Sequence, residues 1–180
     1  MSIDGVDGLA YAHSQGYIHL DYKLENYMER LSSSQRFAII DWDMAVDVTK
    51  PQRSWPLKGT PLYMAPEVVK GEYYKWPYAP DVYSAGVCLL YTVKPSLLAS
   101  QYSTDVLGIH NKYRSPDGVK EYLARKGLLG TGGPYPEVYD LLSQVLCGPN
   151  SRLTMAQFAR KLRKIEDNPA YHGELPLIVG

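Results

Sequence analysis

The stretch from His19 to Asp43 decides the fold, and it reads HLDYKLENYMERLSSSQRFAIIDWD. Two short apolar-rich runs, Tyr27–Leu31 and Phe37–Ile40, stand on either side of a serine-rich turn, and this pattern predicts a β-hairpin. Polar side chains suited to chemistry precede the first strand and follow the second. Because a hairpin places the start of its first strand beside the end of its second, these side chains are predicted to meet at one end of the ribbon. The four concerned are Asp21, Lys23, Asn26 and Asp41.

Helical patterns flank this hairpin on both sides. Apolar residues recur at helical spacing from Ile3 to His13, and Gly16 stands where that helix would end. Further helices are predicted with Asp81 as N-cap after Pro80, with Pro136 at a first helical position, after a Thr154–Gln157 capping box, and near 104–110 and 118–126.

The remaining segments show no regular period. We interpret 17–26 as an ordered loop and 41–67, which carries four prolines, as a long functional loop. The tail from Asn168 is predicted to be irregular. The sequence thus predicts one mainly α-helical domain over residues 1–166 with a small β-hairpin, followed by an irregular tail over 167–180.

Composition excludes several classes of protein. The chain has 180 residues, and its 19 Lys+Arg balance 19 Asp+Glu, so nothing attracts it to nucleic acid or to an anionic membrane. The longest apolar run, Ala85–Val93, is too short to span a bilayer, and no secretory leader pattern opens the chain. Cys88 and Cys147 lack metal-ligand spacing, which predicts reduced thiols in an intracellular, cytoplasmic protein. His13, His110 and His172 are predicted to be surface or packing residues.

Five motifs follow one another along the chain. They are the HxDxKxxN of residues 19–26, the DWD of 41–43, the GTPLYMAPE of 59–67, the DVYSAG of 81–86, and Arg152 before the last capped helix. In this order and spacing the sequence resembles the C-terminal lobe of eukaryotic-type protein kinases. The resemblance extends from about Met1 to about Ile165 and implies a protein-kinase-like fold whose N-terminal lobe is missing.

The resemblance implies a role for each residue at the end of the hairpin. Asp21 would be the base that orients the substrate hydroxyl, and Lys23 would contact the γ-phosphate of ATP. Asn26 and Asp41 would be the ligands of Mg²⁺, a cation that prefers oxygen ligands. The implied function is transfer of the ATP γ-phosphate to a hydroxyl of a protein substrate, with ATP and magnesium as cofactors.

The same resemblance assigns supporting roles. Lys23 and Thr60 follow the pattern of serine/threonine kinases, and the Thr60 hydroxyl would bridge Asp21 and Lys23. His19 would hold the loop, and Asp81 would accept backbone N–H groups from it. The supporting residues also include Glu67 and Arg152, which would form a buried ion pair.

Three residues depart from the family pattern. Leu20 replaces the arginine that usually precedes the catalytic aspartate, so control through phosphate binding at that arginine is not expected. Trp42 replaces phenylalanine and is expected to remain an apolar plug. Asp43 replaces glycine, and we expect strain there because an L-residue tolerates a positive φ poorly.

The glycine-rich loop and the strand lysine that kinases place over ATP are absent from the chain. The glycine cluster at 130–133 follows a predicted helix, so we interpret it as a loop and not as a phosphate cradle. The isolated chain is therefore predicted to be inactive or very weak, with the missing lobe supplied by a longer protein or by a partner. The alternative is a truncated kinase or pseudokinase that acts as a protein-binding scaffold.

Overall fold

The computed structural model describes residues 3–31, 36–51, 57–95, 121 and 135–171. The helices predicted near 104–110 and 118–126, the turn at 32–35 and the glycine cluster at 130–133 lie outside the described residues. So do His110, His172 and the tail beyond residue 171.

Five α-helices lie in the described part of the chain. They are α1 (Ile3–Ser14), α2 (Pro66–Val69), α3 (Ala79–Val93), α4 (Pro136–Val145) and α5 (Met155–Glu166). Gly16, at φ 83°, follows the end of α1 as predicted, because glycine adopts the left-handed conformation without a Cβ penalty. The capping box of α5 is confirmed: the Thr154 hydroxyl accepts from the Gln157 amide, and the Gln157 side chain accepts from the Thr154 amide.

The predicted start of α3 is wrong by three residues, because Asp81 is not its N-cap. The helix begins at Ala79, its N-cap is Tyr78, and Asp81 lies within the first turn. Pro80 is accommodated there because the first turn of a helix has no intrahelical use for the missing N–H. The Asp81 carboxylate caps a different segment instead, as described below.

Within the described ranges, four short strands form two separate antiparallel pairs. Strands β2 (Tyr27–Glu29) and β3 (Phe37–Ile39) form the predicted hairpin, with Tyr27 opposite Ile39. Strands β1 (Tyr17–Ile18) and β4 (Val46–Asp47) form the second pair. The interpretation of 17–26 as loop missed β1 and the 3₁₀ turn Leu24–Asn26, since such short segments show no period.

Helix α3 is the centre of the core, and nearly every residue from Pro80 to Tyr91 is buried. Gly86 lets α4 approach closely, because a Cβ at this position would lie 2.7 Å from a Val145 methyl and 2.9 Å from a Leu146 methyl. Helix α1 packs against α5 and β3, so the hairpin and the following loops rest on a helical base. Within the described residues, no helix combines the length and apolarity needed to cross a bilayer.

The predicted ion pair between Glu67 and Arg152 is confirmed. The side chains are 4% and 1% exposed, and both guanidinium nitrogens contact the two carboxylate oxygens. Arg152 also donates to the carbonyl of Cys147 at 2.6 Å and to that of Ala79 at 2.8 Å, and its guanidinium lies over the Tyr83 ring. The pair thus joins α2, the start of α3 and the loop between α4 and α5.

Replacing one partner of this buried pair leaves the other charge unpaired in the core. We expect Arg152→Met to lower the free energy of unfolding by about 3–5 kcal/mol. The matched control is Arg163→Met, because Arg163 pairs with Asp7 on the surface, where such pairs contribute under about 1 kcal/mol. Urea denaturation of both variants measures the difference, and equal losses would contradict the assignment.

Candidate active site

Asp21, Lys23 and Thr60 form a closed triangle of hydrogen bonds. Lys23 Nζ lies 2.7 Å from Asp21 Oδ2, and the Thr60 hydroxyl donates to Asp21 Oδ1 at 2.7 Å. Lys23 Nζ also donates to Thr60 Oγ1 at 3.0 Å, so the predicted bridge is present. Asp21 and Lys23 come from the loop before β2, whereas Thr60 comes from the segment before α2.

Asn26 joins this group from the other end of the same loop. Its side-chain amide nitrogen donates to the Asp21 backbone carbonyl at 2.8 Å and lies 3.4 Å from Asp21 Oδ2. These bonds cross the loop and fix its width. Within the described part of the chain, the Asn26 Oδ1 oxygen has no hydrogen-bond donor.

Two opposing effects act on the pKa of Asp21. Burial alone raises it, but hydrogen bonds from Lys23 and Thr60 and the charge of Lys23 outweigh burial and hold the pKa below its ordinary value. Asp21 is therefore ionised at neutral pH. An ionised carboxylate beside a hydroxyl and an ammonium group is a competent hydrogen-bond acceptor for an incoming hydroxyl.

Asp81 of α3 binds the backbone of this loop. Its two carboxylate oxygens accept the amide hydrogens of His19 and Leu20, each at 2.8 Å, as predicted. His13 Nε2 lies 2.8 Å from Asp81 Oδ2, so His13 is a partner of this carboxylate and not merely a surface or packing residue. The sequence carries no signal for this contact, because 68 residues separate the pair.

These contacts allow a fully buried carboxylate to remain charged. Burial raises the pKa of Asp81, but the hydrogen bond and charge of His13 together with the His19 amide bring it below its ordinary value. Asp81 is 0% exposed, so its charge has no water to stabilise it. The folded state therefore depends on this cluster of donors.

Leu20 lies in an unusual backbone conformation inside the loop. Its φ is 65° and its side chain is buried, although leucine disfavours the left-handed region. Gly59, at φ 117°, packs directly against it, and a Cβ at Gly59 would lie 2.5 Å from the Leu20 carbonyl oxygen. Gly59 is thus a site residue that its motif signalled but that we did not single out.

Asp41 lies at the adjoining end of the hairpin and does not join the hydrogen-bonded group. The amide of Ile40, its neighbour in the chain, donates to the Asn26 backbone carbonyl at 3.0 Å, which places Asp41 one residue beyond a paired position. Its side chain is exposed. In the described part of the chain, no hydrogen bond links Asp41 to Asp21, Lys23 or Asn26.

The prediction of backbone strain at Asp43 is wrong. Among the described residues, the non-glycine residues with positive φ are Leu20 and Asp41, so residue 43 has no need of glycine here. An aspartate tolerates the left-handed region better than most residues, which suits it to position 41. The turn continues with the Ala45 amide donating to the Trp42 carbonyl at 2.9 Å.

His19 and Trp42 connect the loop to the end of the hairpin. His19 Nε2 lies 3.2 Å from the Ile40 carbonyl, and its Nδ1 accepts the Asp21 amide at 3.2 Å, so His19 holds the loop as predicted. The Trp42 ring packs edge-on against His19 with centroids 4.6 Å apart. Trp42 is more than an apolar plug, since its indole N–H donates to the Ile39 carbonyl and its side chain is 38% exposed.

An Asp81→Asn variant tests how much the loop depends on the buried charge. The change replaces one of the two carboxylate oxygens by an NH₂ group, so one of the two backbone amides loses its acceptor. We expect the free energy of unfolding at pH 7 to fall by about 2–3 kcal/mol. Because the folded pKa lies below the ordinary 3.8, this contribution is present above about pH 4 and disappears as the pH falls through the folded pKa.

Urea denaturation at pH 7 and pH 3 measures the effect. The difference between the parent chain and Asp81→Asn should shrink at pH 3. Asp167→Asn, an exposed change at the end of α5, is the control and should stay within about 0.5 kcal/mol at both values. If the difference in unfolding free energy between the parent chain and Asp81→Asn is the same at both pH values, the charge of Asp81 does not contribute to stability.

Comparisons with known proteins agree with the motifs and their geometry. Residues 4–162 match the protein kinase domain. A serine/threonine-protein kinase PLK4 of Drosophila yakuba is 30% identical over 157 residues, which cover 80% of this chain and 19% of that protein.

Two further relatives match shorter segments. A dual serine/threonine and tyrosine protein kinase of Gallus gallus is 37% identical over 93 residues, 51% of this chain and 9% of that protein. Calcium-dependent protein kinase 5 of Plasmodium berghei is 40% identical over 82 residues, 45% of this chain and 14% of that protein. The aligned segments thus span less than a fifth of the length of these relatives, and the chain belongs to the protein kinase domain family.

Proposed function

We propose that residues 1–166 are the C-terminal lobe of a serine/threonine protein kinase, which transfers the γ-phosphate of ATP to a hydroxyl of a protein substrate. The observation that carries this proposal is the closed triangle of Asp21, Lys23 and Thr60, tied to Asn26 across the loop. Phosphoryl transfer depends mainly on positioning and on charge, and this group supplies an anion, a cation and a hydroxyl at fixed distances.

Asp21 is the proposed acceptor of the substrate proton. Its side chain is nearly buried and ionised, and it already accepts a hydrogen bond from an aliphatic hydroxyl, that of Thr60, at 2.7 Å. A serine or threonine hydroxyl of a substrate has the same chemistry as this donor. The contact supports the ability of Asp21 to orient such a hydroxyl toward phosphate.

Lys23 is the proposed cation for the transferring phosphoryl group. Its side chain is 20% exposed, and Asp21 and Thr60 hold its ammonium group in place. A fixed cation that needs no rearrangement stabilises developing charge more effectively than a mobile one. This arrangement supports a γ-phosphate contact within one loop.

Asn26 and Asp41 are the proposed ligands of magnesium. Asn26 uses its side-chain nitrogen to bind Asp21, which leaves Oδ1 for a cation, and Asp41 offers an exposed carboxylate at the next strand end. An amide oxygen and a carboxylate fit the preference of Mg²⁺ for hard oxygen ligands. When bound, magnesium would neutralise charge on the ATP phosphates.

The proposed partners are a protein substrate and a polypeptide segment that completes the nucleotide site. Among the described residues, Asp21 and Lys23 bring an acidic and a basic group together, and no glycine-rich strand covers them. Cys88 and Cys147 are buried and are not joined to each other in a disulfide, which fits a reducing, intracellular setting. The scaffold alternative rested on Asp43 and on the missing lobe, and the strain expected at Asp43 is not found among the described residues.

Replacing Asp21 tests the proposed chemistry. The protein is purified from its own cells through a C-terminal tag, so that any residues encoded before Met1 are retained, and is assayed with Mg-ATP and serine- or threonine-containing peptides. We expect Asp21→Asn to lower kcat by at least about 100-fold, because the acceptor is lost. Asp7→Asn, a change at a half-buried residue of α1 beside Arg163, should transfer phosphate at the parent rate.

Equal rates for Asp21→Asn and its parent would overturn the role of Asp21. Absence of transfer by the parent protein, with every substrate and with manganese replacing magnesium, would favour the scaffold alternative. Transfer to tyrosine peptides alone would overturn the serine/threonine assignment.

Nucleotide binding by the 180-residue chain alone gives a second test. Much of the surface that encloses ATP in kinases is missing from the chain, so we expect Mg-ATP at low micromolar concentration to leave the melting temperature unchanged within about 1 °C. Differential scanning fluorimetry across a nucleotide titration makes the measurement. A rise of many degrees would show that the chain binds ATP without a second lobe.

A further inference from the structure

Tyr22 and Tyr27 contact each other across the loop that carries Asp21 and Asn26, and we call this contact the second tie of the loop. Tyr22 follows Asp21 in the chain and Tyr27 follows Asn26, and their side-chain hydroxyls are hydrogen-bonded to each other. Their rings pack edge to face with centroids 5.3 Å apart. The first tie, from the Asn26 amide to the Asp21 carbonyl, lies between neighbours of the same two tyrosines.

The Tyr22 hydroxyl depends on this contact. Tyr22 is 0% exposed, so water cannot replace a lost partner, and among the described residues the Tyr27 hydroxyl is its hydrogen-bond partner. Burial raises the pKa of Tyr22 well above its ordinary value, so the hydroxyl keeps its proton. A shift of Tyr27 would leave a polar group unpaired in the core.

Gly5 of α1 makes the position of Tyr27 possible. A Cβ at Gly5 would lie 2.9 Å from both the Cζ atom and the hydroxyl oxygen of Tyr27, closer than real side chains approach. Glycine is unfavourable within a helix, and at this position it provides the space that the tyrosine ring occupies. Gly8 lies about one turn later in α1. A Cβ at Gly8 would lie 3.4 Å from Ile39 Cδ1, an ordinary van der Waals contact, so a larger residue fits there.

We infer that Tyr22 and Tyr27 are positioning residues that set the distance between Asp21 and Asn26. In this inference Gly5 provides the space that the Tyr27 ring needs. This inference rests on the proposed function, since it concerns the residues proposed to accept the proton and to bind magnesium. The tyrosines contact neither substrate nor phosphate. They act by fixing both ends of a short loop to each other and to α1.

Amide hydrogen exchange in the 180-residue chain tests the tie without any need for catalysis. The reporters are the amides of Asn26 and Ile40, which donate to Lys23 and Asn26 carbonyls, and the reference is the Phe158 amide in α5. For both Gly5→Ala and Tyr27→Phe we expect exchange at the reporters to accelerate roughly tenfold or more relative to the reference, as an unpaired buried hydroxyl implies.

Each variant has a matched control. Gly8→Ala makes the same change in the same helix where space exists, and Tyr139→Phe removes a hydroxyl from a buried ring of α4. Neither control should change the ratio of reporter to reference exchange. An unchanged ratio in Tyr27→Phe, or equal acceleration in Gly8→Ala and Gly5→Ala, would overturn the inference. Tyr27→Phe alone decides the matter if Gly5→Ala does not fold.

The phosphotransfer assay adds a second measurement, the separate values of kcat and KM, which distinguishes a shift of the reacting groups from general destabilisation. With the protein purified from its own cells, Tyr27→Phe should lower kcat several-fold while the KM for peptide stays unchanged, because the reacting groups shift but the peptide surface does not. Parent-like kcat in Tyr27→Phe would contradict the inference. Failure of the proposed function would show itself differently, as absence of transfer by the parent with the exchange result intact.

Discussion

A charged carboxylate buried beneath a loop is the constraint on which this active-site arrangement depends. Asp81 has no contact with solvent, yet it accepts two consecutive backbone amides from residues 19 and 20 and is also bonded to His13. Because a buried charge without donors is very unfavourable, the loop must bring both amides to α3 whenever the domain is folded. The conformation of Leu20, with its positive φ, is stabilised by the same two bonds.

The second constraint is the buried pair of Glu67 and Arg152, in which Arg152 also bonds the Ala79 carbonyl at the start of α3. It fixes α2 and therefore the segment that carries Thr60 toward Asp21. The three groups of the triangle thus belong to two segments, each fastened separately to one buried helix. Such anchoring keeps reacting groups at fixed distances in a site built from loops, which by themselves are the most variable parts of a protein.

Departures from the family pattern are best understood through the backbone. A glycine at position 43 matters only where φ is positive, and in this chain the positive φ lies two residues earlier, at Asp41. Trp42 adds a bond that phenylalanine cannot make, from its indole nitrogen to Ile39, and packs against His19. Tyr22 and Tyr27 add a further polar contact between the two ends of the loop that carries Asp21 and Asn26.

Local patterns in the sequence were sufficient for the hairpin and for α1, α4 and α5, because period and capping are local properties of the chain. The bonds of Thr60 with Asp21 and Lys23 join residues 39 and 37 positions apart, and they were predicted only through the resemblance to protein kinases. The start of α3, the strand pair β1–β4, and the roles of His13 and Gly5 were decided only by tertiary structure. The roles of His13 and Gly5 depend on groups far apart in the chain meeting in a space without water, where an unpaired charge or an added Cβ cannot be accommodated.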